Sequence, residues 1–87
     1  MGDSDKRGKS KRPAPPPPEH EYVVTWNSAR RSWDVHLNGV GTGTFAYDKD
    51  TAIGLAVRRA QKDRENGIMA IVRSKRENEQ TKVEWSP

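Results

Sequence analysis

The segment over residues 48–67 constrains the fold more than any other, because it alone has the pattern of an α-helix. Its apolar residues recur at intervals of three and four, which places them on one face of a helix. They are Ala52, Ile53, Ala56, Val57 and Ala60. Since this face consists mostly of alanine, the helix can lie close against a β-sheet. The segment therefore predicts a single helix packed on a sheet.

Both ends of the predicted helix carry capping signals. Asp48 can accept hydrogen bonds from the free N–H groups of the first turn, where Asp50 also interacts favourably with the helix dipole. Gly67 can adopt the left-handed conformation that ends many helices. The basic residues of the last two turns are Arg58, Arg59, Lys62 and Arg64. These signals set the helix boundaries.

Two alternating segments before the helix predict a β-hairpin. Residues 21–27 and 32–38 alternate in side-chain character, and residues 28–31 form the turn. A four-residue loop pairs Asn27 with Ser32. The resulting cross-strand pairs are Tyr22–Leu37, Val24–Val35 and Trp26–Trp33. The turn length and the apolar pattern agree on this register.

Residues 39–44 contain three alternating glycines and resemble a phosphate-binding loop only superficially. The dinucleotide-binding fingerprint requires G-x-G-x-x-G directly before a helix, whereas here residues 44–47 intervene. We interpret the segment as a flexible bend that leads to Phe45, which we expect in the core.

Two segments after the helix predict a second hairpin. Strands over residues 68–74 and 81–85 are joined by a loop over residues 75–80. The expected cross-strand pairs are Val72–Val83 and Ala70–Trp85. The first of these strands has apolar residues on both faces, which predicts a central strand or one covered by a partner. The fold class is therefore α+β, with two β-hairpins joined by one α-helix (β-β-α-β-β) and the helix packed on one face of the sheet.

This order of elements is accompanied by a characteristic set of core and turn residues. They are Tyr22-Val23-Val24, Trp33-Asp34-Val35, Asp48, Ala52-Ile53, Ala56 and Ala70-Ile71-Val72. In these features the chain resembles, over residues 21–85, the small bacterial family catalogued as domain of unknown function 2188. Gly54 inside the helix and the long loop over residues 75–80 depart from the family pattern. The family has no established activity, so the resemblance implies the fold and no site residues.

The chain of 87 residues divides into a tail and one domain. Residues 1–18 are polar and then proline-rich, so we expect a disordered tail whose prolines act as a stiff spacer or, alternatively, as a docking peptide. Residues 19–87 form a single small α+β domain. Most of the net charge of +4 belongs to the tail. Its basic residues are Lys6, Arg7, Lys9, Lys11 and Arg12.

Few residue types in the chain suit catalysis. There is no cysteine, and the two histidines are His20 and His36. His36 shares a strand face with Asp34, a pair that fits either a solvated strand face or part of a metal site or acid–base dyad. No third ligand is identifiable, so we expect no enzyme and no catalytic, cofactor or metal site. The three tryptophans alternate with valines, which favours core packing over base stacking.

The remaining pattern favours a cytoplasmic protein-interaction or self-associating module. No apolar run approaches the ~20 residues of a membrane span, and no signal peptide is visible. Val23, Met69 and Ile71 lie on the second sheet face, where either a homodimer partner covers them or they are tolerated as a sparse set of exposed apolar residues. The alternative is weak, sequence-nonspecific nucleic-acid binding. Its candidate contacts are Lys6, Arg7, Lys9, Lys11, Arg12, Arg58, Arg59, Lys62, Arg73, Lys75 and Arg76.

Overall fold

The structure, a computed structural model, describes residues 17–76 and 80–87. Within these residues the elements are β1 His20–Asn27, β2 Ser32–Leu37, β3 Val40–Ala46, α1 Lys49–Glu65, β4 Ala70–Lys75 and β5 Lys82–Trp85. The strands form one sheet in the order β3-β2-β1-β4-β5. β1 and β4 are parallel, and all other neighbours are antiparallel. The α+β class is confirmed, but the order is β-β-β-α-β-β, with three strands before the helix rather than two.

The strand missing from the predicted order is β3, which occupies the segment interpreted as a flexible bend. Asn38 and Gly39 have φ angles of 51° and 85°. A two-residue hairpin turn of type I′ requires positive φ at both positions, and Asn-Gly is its preferred sequence. Leu37 therefore pairs with Val40, and the chain returns alongside β2. The prediction of a flexible bend was wrong because it relied on the alternating glycines and not on the Asn-Gly turn signal.

Phe45 was predicted in the core, and this prediction is wrong. It pairs with Asp34 on the sheet face opposite the helix, whereas Ala46 pairs with Trp33 and packs against the core. The Phe45 ring centroid lies 4.3 Å from the Arg30 guanidinium carbon. A period-two strand sends neighbouring residues to opposite faces, so the position of Ala46 fixes that of Phe45.

The first hairpin has the predicted register. Tyr22 pairs with Leu37, Val24 with Val35, and Trp26 with Trp33. The two tryptophan rings lie 5.3 Å apart between centroids. Burial of these pairs on one face explains why a one-residue slip is disfavoured, because it would move every apolar side chain to the other face.

The last hairpin differs from its predicted register. Val72 pairs with Trp85, and Arg73 pairs with Val83, so Glu84 is an extra residue in β5. Ser74 is buried, and its hydroxyl donates to Glu84 Oε2 at 2.5 Å. A bulge that places an acceptor on a buried hydroxyl avoids the cost of an unpaired polar group. The predicted connecting loop contains residues 77–79, which lie outside the described residues.

The helix has the predicted caps and the predicted buried face. Asp48 accepts a hydrogen bond from the backbone N–H of Thr51, and Gly67 has a φ of 78°. The three alanines at positions 52, 56 and 60 are fully buried against the sheet. β4 lies inside the sheet between β1 and β5, as its two apolar faces predicted. Residues 1–16 of the predicted tail lie outside the described residues.

The close approach of helix and sheet predicts opposite effects for two helix substitutions. Ala56→Leu should lower the free energy of unfolding by about 1–3 kcal/mol, because the added atoms overpack a buried site. Gly54→Ala should raise it by up to about 1 kcal/mol, because a Cβ at that exposed position meets no atom within 4 Å. Urea denaturation measures both changes. An Ala56→Leu protein as stable as the parent would contradict the described packing.

Candidate functional site

Three polar side chains meet where β1 enters the sheet and α1 ends. The Tyr22 hydroxyl donates to Asp63 Oδ2 at 2.6 Å, and His20 Nδ1 donates to the same oxygen at 2.8 Å. We call these residues the His20–Tyr22–Asp63 cluster. His20 and Tyr22 are two residues apart on β1, so their side chains lie on the same face of the strand. This face is the helix side of the sheet. The cluster joins the start of the first strand to the last turn of the helix.

Asp63 reaches the sheet because it continues the alanine face of α1. It lies three residues after Ala60, and a residue at that spacing shares the face. The contact between His20 and Asp63 was not predicted from the sequence. The signal was present in the sequence, since an acidic residue on an alanine face must meet a polar partner in the sheet.

The environment of Tyr22 keeps its hydroxyl protonated. Burial raises the pKa of Tyr22 to about 12, helped by the hydrogen bond to Asp63 and by the negative charge of that carboxylate. The nearby Arg59 charge acts in the opposite direction. Tyr22 is therefore a neutral donor at physiological pH.

The cluster contains a histidine oriented by a carboxylate, an arrangement that active sites and metal sites also use. However, the described residues hold no group of three His, Cys, Asp or Glu side chains that could bind a metal ion. Asp63 already accepts two hydrogen bonds from side chains of β1. The contacts of the cluster thus account for a structural role, namely holding β1 and α1 together.

The second histidine, His36, lies beside Asp34 on the opposite sheet face. Asp34 accepts hydrogen bonds from Ser32 Oγ at 2.7 Å and from Asn27 Nδ2 at 2.8 Å. Burial favours the neutral acid, but these hydrogen bonds and the charges of Arg30 and His36 outweigh it and lower the pKa of Asp34. Both carboxylate oxygens of Asp34 therefore accept hydrogen bonds from residues that flank the hairpin turn. No hydrogen bond between Asp34 and His36 occurs among the described contacts, so the structure does not form the dyad that the sequence left open.

A small cavity adjoins this pair because β3 contains a wide bulge. Between the pairs Asp34–Phe45 and His36–Gly41, Val35 alone faces the three residues 42–44. The cavity has a volume of about 160 Å³. Its lining residues are Arg30, Asp34, Val35, His36, Gly41, Thr42, Gly43 and Thr44.

The sheet face opposite α1 is termed the open sheet face below. The residues of this face on which the proposal depends are Glu21, Val23, Ile71, Arg73, Lys75 and Val83. Arg73 Nε lies 2.8 Å from Glu21 Oε2, as an ion pair without hydrogen-bond geometry. All three tryptophans pack in or against the core on the other side, as predicted.

The predicted nucleic-acid contacts lie on two sides of the molecule. Arg58, Arg59 and Lys62 surround a groove beside Tyr22 and Asp63 on the helix side. Arg73 and Lys75 lie on β4 and face the opposite way, and Arg76 follows that strand. The tail residues Lys6, Arg7, Lys9, Lys11 and Arg12 lie outside the described residues. The described basic residues therefore do not form one continuous patch.

The fold and contacts define a small α+β domain with one helix-covered sheet face. Comparison with models of protein families, with curated proteins and with solved structures found no match. The resemblance to the family of unknown function therefore stays a prediction. Among the helices of the described residues, none has the length and apolar character needed to span a bilayer.

The raised pKa of Tyr22 predicts a loss of stability at alkaline pH. The neutral hydroxyl is favoured in the folded state, so its stabilisation is complete below pH ~10 and is lost as the pH rises toward ~12. This loss should amount to at most about 3 kcal/mol. Tyr22→Phe should have a flatter stability profile over that range in denaturant unfolding. Tyr47→Phe, at an exposed tyrosine, is the matched control and should keep the steeper profile. Equal slopes in the two variants would contradict the raised pKa of Tyr22.

Proposed function

We propose that this protein is a non-enzymatic interaction module that self-associates through its open sheet face. One observation carries the proposal: α1 covers one face of the five-stranded sheet, and no element of the described residues packs on the other. A partner that buries this face would stabilise a domain whose core is small.

The open sheet face offers apolar surface between charged groups. Val23 and Ile71 are half-buried on the two central strands, and Val83 is 47% exposed on β5. Val23 and Val83 flank Arg73 in one cross-strand row. Met69 is 48% exposed just before β4. Interfaces between proteins commonly combine such apolar residues with a polar rim.

The charges on this face support the pairing of two copies. Glu21 lies near the start of β1, and Lys75 lies at the end of the parallel strand β4, opposite Thr25. Four residues of strand separate these ends, a distance of about 13 Å. A two-fold axis that reverses strand direction would bring Glu21 of one copy to Lys75 of the other. An isologous interface requires this kind of self-complementarity.

The two sheet edges are less suitable for pairing. β3 is interrupted by its bulge, where Gly43 has a φ of 85°. β5 has only four residues, begins with Lys82 and contains the second bulge. Bulges, short strands and edge lysines all hinder the addition of another strand. The geometry therefore favours association through the open sheet face over association through either edge.

The non-enzymatic part of the proposal rests on how the carboxylates are used. Asp34 accepts hydrogen bonds from Asn27 and Ser32, and Asp63 accepts from His20 and Tyr22. Both oxygens of Asp34 and Oδ2 of Asp63 therefore already accept hydrogen bonds that stabilise the fold. A buried network of this kind costs stability when it is broken.

The proposal predicts a dimer that one substitution separates. Sedimentation equilibrium of the full chain at micromolar concentrations should show a homodimer. Val83→Lys should shift it toward monomer, because association would then bury an unpaired ammonium group beside Arg73. Val40→Lys is the matched control, since Val40 is an exposed valine on the other edge strand and does not belong to the open sheet face.

Circular dichroism establishes that both variants are folded. A parent protein that sediments as a monomer throughout this range would overturn the proposal. Equal dissociation by both variants would also overturn it, because the effect would then reflect charge alone and not the face.

A further inference from the structure

We infer that the groove beside Tyr22 and Asp63 binds a phosphate group. Its lining residues are Tyr22, Arg58, Arg59, Lys62 and Asp63, and its volume is about 370 Å³. We call it the basic groove. It lies on the helix side of the sheet, away from the open sheet face. The inference is therefore independent of the proposed self-association.

Three cations lie close together in the basic groove. Lys62 is four residues from Arg58 and three from Arg59, and like charges at these spacings destabilise a helix. Among the described residues, none of the three forms an ion pair. A bound anion would convert this repulsion into attraction.

One of the three cations is already held in position. An Nη atom of Arg59 donates to Thr44 Oγ1 at 2.9 Å, which connects the side chain to β3. A guanidinium group has five N–H donors in a planar fork, so others remain for a ligand. Fixing the side chain before binding reduces the entropy lost when a ligand is bound.

The one acidic residue in the basic groove offsets only part of this charge. Asp63 Oδ2 accepts hydrogen bonds from both Tyr22 and His20, so the carboxylate is occupied within the fold. Three cations then face one carboxylate. A phosphate group carries several acceptor oxygens and suits a site with arginine forks and a lysine.

The phosphate group can belong to a free nucleotide or to a nucleic-acid backbone, since both present the same oxygens. The probes are sodium phosphate, adenosine monophosphate and a short DNA duplex, each added to the ¹⁵N-labelled full chain at low salt. We expect saturable shifts of the backbone amides of residues 58–63. Saturation with phosphate and the nucleotide supports a site for a single phosphate group. Saturation with DNA alone supports recognition of the nucleic-acid backbone.

Arg59→Gln should weaken the binding of the saturating probe about tenfold, the loss expected for a charge-assisted hydrogen bond. Lys62→Gln provides a second variant with the same expectation. Arg64→Gln is the matched control, because Arg64 is an exposed arginine on the same helix and does not line the basic groove. It should change the affinity by less than about twofold.

Equal losses in Arg59→Gln and Arg64→Gln would overturn the inference, because they would indicate diffuse attraction to positive charge. Absence of saturable shifts at residues 58–63 with all three probes would overturn it too. Val83→Lys should bind the probes as the parent does. The experiments can therefore reject dimer formation and phosphate binding independently of each other.

Discussion

The close contact between the alanine face of α1 and the sheet is the constraint on which the rest of the structure depends. Ala52, Ala56 and Ala60 contribute no long side chains, so the helix backbone approaches the strands and the larger residues of the sheet fill the core. Val24, Val35 and Val72 are almost fully buried beneath it. Because so few atoms form this contact, each one affects stability, and larger side chains at these positions have no room.

The same contact explains where the polar groups of the domain lie. Asp63 extends the alanine face by one turn, which brings its carboxylate against Tyr22 and His20 and raises the pKa of the tyrosine. The cations of the last two turns, around Arg59, are left along the rim of the groove beside that cluster. One helix orientation therefore produces both a structural hydrogen-bond cluster and the surface for which we propose phosphate binding.

With the helix on one side, the opposite sheet face is left as the remaining large surface of the domain. The bulges in β3 and β5 make the two edges poor sites for strand addition. The bulge in β5 also has a local cause, because it places Glu84 on the buried hydroxyl of Ser74. The irregularity in β5 thus satisfies a buried polar group, and both irregularities interrupt strands at the edges of the sheet.

The sequence by itself determined the local features of this protein. Helix ends depend on capping residues such as Asp48 and Gly67, and the first hairpin depends on a four-residue turn with paired apolar residues, so both followed from neighbours in the chain. Asn38-Gly39 also encoded β3, although alternating glycines obscured it. The parallel pairing of β1 with β4 and the contact between His20 and Asp63 were decided only by the tertiary structure. They join residues 40 or more positions apart, and no local pattern specifies which distant strand or side chain becomes the partner until the helix packs on the sheet.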